Sequence, residues 1–165
     1  YYLVLHRGSV DINKSIYFSL SAYERIKTSS VNVSISGTAS NKGNSSISMS
    51  GVDSSVISVN LTNDTKIPNK AIVTSISSSG TQSPSQGNVH HMIMPASNSI
   101  WYTSTVSSAS SGHYNIDIDD GIPVKQKWSF KYNALATAKS TMRNVKLTIE
   151  FQYDLHDTDY ETYIR

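Results

Sequence analysis

Val145-Lys146-Leu147-Thr148-Ile149-Glu150-Phe151-Gln152-Tyr153-Asp154-Leu155 alternates apolar and polar side chains without a break. Successive side chains of an extended chain point to opposite faces, so this period of two specifies a long strand with one face buried and one wet. Just upstream, Val124, Gln126, Trp128, Phe130 and Tyr132 alternate with Lys125, Lys127, Ser129 and Lys131. That is a second strand with a basic outer face, and direct pairing of the two would set its lysines opposite Glu150 or Asp154. Between them, Ala134 to Met142 has the best helical propensity in the chain and predicts one or two helical turns crossing an end of the fold.

The same alternation recurs toward the N-terminus. Ile16, Phe18, Leu20 and Ala22 form one apolar row, and Val31, Val33 and Ile35 another. Further strands are expected at 1–7, 45–50, 55–61, 70–77, 90–94, 100–106 and 113–119, each bounded by Gly, Pro, Asn or Ser. Many short strands at this spacing specify an all-β, two-sheet antiparallel sandwich of jelly-roll or immunoglobulin-like type, with at most the one short helix near 134–142. A single domain over 1–165 is expected, because neither half alone offers enough strands to close a core. The stretch Ser77 to Asn88, with Gly80, Pro84 and Gly87 and almost no apolar side chain, predicts a mobile loop.

Composition narrows the setting. Hydrophobic residues make up 38% and charged residues 16% of the 165, so Ser, Thr and Asn fill the difference. With a net charge of only +2 the chain is expected to fold rather than stay disordered, and nucleic acid is not an expected partner. The absence of cysteine removes disulfides, thiolate metal sites and a cysteine nucleophile together. A hydroxyl-rich, weakly charged strand protein points to an extracellular or cell-surface location. The opening Tyr1-Tyr2-Leu3-Val4-Leu5 without an initiator Met fits a mature form whose targeting segment has been removed.

Three constellations could carry chemistry. His90, Met92 and Met94 would share one strand face, and imidazole with thioethers suits copper; the competing reading packs the methionines in the core and turns His91 and Ile93 outward. Asn115, Asp117 and Asp119 place oxygen ligands at alternate positions, as calcium sites do, but Asp120 and Gln126 stand where the EF-hand pattern needs Gly and Glu. Asn13, Asn32, Asn44, Asn60 and Asn63 each open an N-x-[ST] triplet, which a Ser- and Asn-rich chain also produces by chance. No nucleophile elbow or phosphate loop is present, so no catalytic residue is assigned and no enzyme is expected.

Trp101, Tyr102 and Tyr114 lie in a segment, Ala71 to Ile116, that contains no Asp, Glu, Lys or Arg. Aromatic faces among neutral polar groups suit sugar or protein recognition. The expected function is therefore non-catalytic binding of a carbohydrate or protein partner, with contacts from Trp101, Tyr102, Tyr114, Gln82 and Asn88, no obligatory cofactor, and oligomerisation left open. Two alternatives accompany it. The segment Val31 to Leu61 could act as a membrane-inserting hairpin of the pore-forming type joined at 41–44, and the histidine or aspartate rows could make an extracytoplasmic metal-binding domain.

Overall fold

The computed structural model describes residues 8, 11, 13, 14, 17, 24–45, 49–105 and 112–156. The expected strand at 1–7 lies outside them, as do most of 16–22 and residues 46–48 of the strand expected at 45–50.

Ten strands form among the described residues, with no helix. They are β1 (Ile26–Ile35), β2 (Ala39–Asn41), β3 (Val52–Asp53), β4 (Ile57–Asn60), β5 (Ile72–Ser83), β6 (Val89–Pro95), β7 (Tyr102–Thr103), β8 (Tyr114–Ile116), β9 (Lys127–Ala134) and β10 (Ser140–Asp154). The first sheet runs β1-β10-β5-β8, with β2 also on β10; the second runs β3-β9-β6-β7, with β4 also on β9. Every pairing is antiparallel. Each sheet thus has one long central strand flanked on one side by an interrupted partner. The two sheets pack face to face as a two-sheet β-sandwich.

The inward rows of the two central strands make the core, as their alternation predicts. Val145, Leu147, Ile149 and Phe151 of β10 are buried against Trp128, Phe130 and Tyr132 of β9. Val33 and Ile35 of β1, Val73 and Ile76 of β5, and Val89 and Ile93 of β6 complete the layer. Two of the polar groups on the inner face show how such atoms are paired across or along the core. Trp128 Nε1 donates to the Val124 carbonyl at 3.0 Å, and the Tyr132 hydroxyl meets Ser140 Oγ at 2.9 Å across the sandwich. Burial raises the Tyr132 pKa, which keeps that hydroxyl protonated.

Five expectations are corrected. First, β9 and β10 are neighbours in sequence but belong to different sheets, so the β9 lysines do not face Glu150 or Asp154. Lys131 pairs instead with Asp53 on β3, and Arg25 pairs with Asp154. Second, 134–142 is not helical: Ala134 closes β9, Ser140 opens β10, and the connection is extended or bent. Its backbone is held by the 41–44 loop, for Asn44 donates from its backbone N to the Ala136 carbonyl and from Nδ2 to the Leu135 carbonyl. Gly43, at φ 82°, sits where a Cβ would lie 2.2 Å from the Thr137 carbonyl oxygen. Tertiary contacts override local propensity here. The same contacts bury Asn44 to 1% exposure, so its triplet offers no accessible amide in the folded chain.

Third, the expected loop 77–88 is mostly strand, because β5 continues to Ser83. Its inward positions are Ser78, Gly80 and Gln82, small or polar residues that each find a fitted partner on the far side of the core or on β10. Ser78 Oγ meets His91 Nδ1 at 2.9 Å, Gly80 makes room for Met142, and Gln82 Nε2 reaches Ser140 Oγ at 3.3 Å. Fourth, the strands within 31–61 are not a hairpin: β1 and β2 pair with β10, and β3 and β4 with β9. Fifth, the residues expected to contact a ligand do not share one surface, since the charge-free segment 71–116 supplies β5 and β8 to the first sheet and β6 and β7 to the second.

Candidate functional site

The residues singled out for ligand contact separate into two groups. Tyr114 is 2% exposed, stacked at 3.7 Å between centroids on His91, and so belongs to the interior. Gln82 is likewise buried, with its amide committed to Ser140 and Gln86. Neither can serve as a surface anchor. Asn88, exposed and at φ 55°, opens the turn into β6, at the end of that strand remote from Trp101.

Trp101 and Tyr102 remain at the surface, both half-buried at the β6–β7 edge of the second sheet. Met92 pairs with Thr103 and Ile93 with Tyr102, so continuing the register by one residue sets Trp101 beside Met94. Lys131 on β9 lies opposite Met92 and holds its ammonium 4.4 Å from the centre of the Trp101 ring, a cation–π contact that orients the indole. Tyr102 accepts from Asn98 Nδ2 at 2.7 Å and donates to Asp119 Oδ2 at 2.6 Å. The hydrogen bond to that carboxylate raises the tyrosine pKa and fixes the rim of the site. Ile100, half-exposed, extends the apolar part of the patch.

Along β6, burial alternates, with Val89, His91, Ile93 and Pro95 inside and His90, Met92 and Met94 half-buried on the outer face. The core assignment of the two methionines is therefore reversed: the wet row is the one bearing His90. His90 donates from Nδ1 to the Ser104 carbonyl at 3.0 Å, which fixes the tautomer and leaves Nε2 as the atom able to ligate. Asn115 and Asp117 are exposed on and just beyond β8, but Asp119 is engaged by Tyr102. Among the described residues no three His, Asp or Glu side chains converge to hold a metal ion.

The outer face of the first sheet has a different chemistry. Its rows read across the strands as Asn32–Thr148–Ser77–Asn115 and Ser34–Lys146–Ser79, with Thr148 Oγ1 donating to Asn32 Oδ1 at 2.8 Å. It is a broad array of hydroxyls and amides without an aromatic ring among those positions. Reading from the sequence missed this face, although the polar partners in the alternation of β1 and β10 already spell out half of it.

No protein-family model matches the chain. It is 50% identical over 155 residues, 94% of its length, to Uncharacterized protein YbdN of Bacillus subtilis (strain 168). The aligned region is 54% of that relative, so the chain spans about half the length of the protein it matches.

Proposed function

We propose that this chain is a non-catalytic, extracytoplasmic domain that binds carbohydrate at the outer face of its second sheet, with the Trp101 indole as the stacking platform. The observation that carries this reading is the surface position of Trp101: a half-exposed ring, oriented by Lys131 and followed by Tyr102, whose hydroxyl accepts from the Asn98 amide. A large flat side chain at the surface, with its orientation fixed and polar groups at its rim, presents the geometry that a sugar ring or a partner side chain packs against. The hydroxyl-rich, weakly charged composition supports the extracytoplasmic placement.

The two tryptophans make the reading testable by fluorescence. Trp128 is fully buried with its indole N–H already bonded, whereas Trp101 is accessible, so a ligand-induced change in emission reports Trp101. Titration with soluble neutral polysaccharides, xylan, β-glucan and dextran, is expected to change emission with at least one of them. Trp101→Ala is expected to abolish the response and weaken binding by more than about 1 kcal/mol while leaving the melting temperature unchanged. Undiminished binding by that variant, or displacement of the indole only by a protein partner, would overturn the carbohydrate reading.

A further inference from the structure

β10 does not alternate cleanly along its whole length. Arg143 pairs with Thr81 and Lys146 with Ser79, three residues of β10 against two of β5, so the strand carries a β-bulge with Asn144 at φ 53°. The extra residue leaves Arg143 and Asn144 exposed in succession while Met142 and Val145 both stay buried. A bulge that turns side chains outward on an otherwise regular strand is a common device for aiming functional groups.

Three concavities open along this half of the first sheet's outer face. The largest, about 600 Å³, is bounded by Ser34, Ser36, Thr38, Arg143 and Lys146. A second of about 320 Å³ lies across the bulge among Ser79, Thr81, His113 and Lys146. The third, also about 320 Å³, lies between Ser40, Lys42, Ser83, Lys139 and Thr141. None of the three is lined by a carboxylate or by Trp, Tyr or Phe, and the one imidazole among them is that of His113. Lys42, Lys139, Arg143 and Lys146 are exposed, and no ion pair or hydrogen bond engages their side chains among the described residues. Elsewhere Arg25, Lys125 and Lys131 are tied to Asp or Asn partners, while Lys66 and Lys127 are exposed on other parts of the chain. The next acid along β10 is Glu150, about 13 Å beyond Lys146 at roughly 3.3 Å per residue.

We propose that this half of the face binds an acidic polysaccharide. Its anionic groups would seat on Arg143 with Lys146 and on Lys42 with Lys139, and its hydroxyls on the serines and threonines between them. From Lys139 to Lys146 the cations extend about 20 Å along the strand, a span that suits a chain rather than a single small anion. Exposed guanidinium and ammonium groups attract anions at long range and confer salt dependence. Single-stranded nucleic acid is disfavoured because its binding grooves supply several aromatic rings on which successive bases stack, and this face supplies no Trp, Tyr or Phe beside the His113 imidazole. The site is on the sheet opposite Trp101 and stands independently of the carbohydrate reading there.

The test measures affinity for polygalacturonate and dextran sulfate, with neutral dextran and poly-dT alongside. Arg143→Ser with Lys146→Ser is expected to weaken polygalacturonate binding about tenfold or more, roughly 1.4 kcal/mol, and to flatten its salt dependence. Lys66→Ser with Lys127→Ser removes the same charge from other exposed sites and is expected to leave affinity within about twofold. Both pairs are exposed, so circular dichroism of each variant is expected to match the wild type. Equal weakening by the two variants would reduce the effect to net charge and overturn the proposal. So would tighter binding of poly-dT than of the acidic glycans, or a loss of neutral dextran binding in the Arg143/Lys146 variant as large as its loss of polygalacturonate binding. Loss of binding to neutral polysaccharide in Trp101→Ala, with polygalacturonate binding intact, separates failure at one site from failure at the other.

Discussion

His91 is the residue whose placement has the sharpest physical consequence. It is fully buried at the seam between the sheets, stacked on Tyr114 of the first and edge-on to Phe130 of the second at 5.1 Å, with Nδ1 on Ser78 and Nε2 without a hydrogen-bond partner. Desolvation disfavours the imidazolium and lowers the pKa from 6.5 to about 3. The folded chain therefore refuses a proton that the unfolded chain accepts. Stability is complete above about pH 6.5 and falls as the pH drops toward 3, by roughly 1.4 kcal/mol per unit. Urea unfolding at pH 7 and pH 4.5 should show that loss. The interval from pH 7 to 4.5 lies above the range in which folded Asp53 and Asp154 titrate, since both are held below 3.8. Burial raises the Asp53 pKa, but bonds from Lys131 and Asn133 outweigh it; the Arg25 hydrogen bond lowers that of Asp154. His91→Phe, which keeps an aromatic ring in the stack, should cost stability at pH 7 but flatten the dependence between the two pH values. An unchanged slope would assign the acid sensitivity elsewhere.

At the scale of the element, β10 shows both what alternation reveals and where it fails. From Val145 to Phe151 the pattern in the sequence matches the burial in the structure residue for residue. Phe151→Asp should therefore unfold the domain, because an unpaired charge on the inner face costs several kcal/mol against a total of about 5–15. Glu150→Lys, one residue away on the wet face, should shift stability by no more than about 0.5 kcal/mol. A thermal melt separates the two, and similar behaviour of both would contradict the register. Upstream the bulge at Asn144 reverses the parity, so that Met142 and Val145 share a face three residues apart. That spacing imitates a helix, and together with Ala134, Ala136 and Ala138 it explains why the stretch reads as helical. β5 is obscured for another reason. Ser78, Gly80 and Gln82 are inward but not apolar, and what makes them core residues is His91, Met142 and Ser140, which lie far away in sequence.

For the whole molecule, fold class was legible because period-two alternation reports only local geometry, and all-β sandwiches consist of little else. Strand order was not, since neighbouring β9 and β10 fall in opposite sheets and their pairing depends on partners up to 129 residues away, as for Arg25 and Asp154. The surfaces followed the same division. Trp101 could be singled out by type, whereas Tyr114 and Gln82 carry identical sequence signals and lie inside. The cationic face was invisible because Lys42 and Lys139 meet only through the pairing of β2 with β10. That same architecture sets how the domain responds to mechanical load. β1 begins where β10 ends: Ile26 lies opposite Asp154, and Leu155 donates to the Arg25 carbonyl at 3.0 Å. Tension applied at Arg25 and Leu155 therefore pulls the two strands apart from their adjacent ends, loading the rungs of the ladder one after another rather than all at once. Single-molecule stretching should register gradual peeling at low force from this end, and a much higher rupture force when the handles are moved to the exposed Ile26 and Lys146, where the same strands must slide past each other.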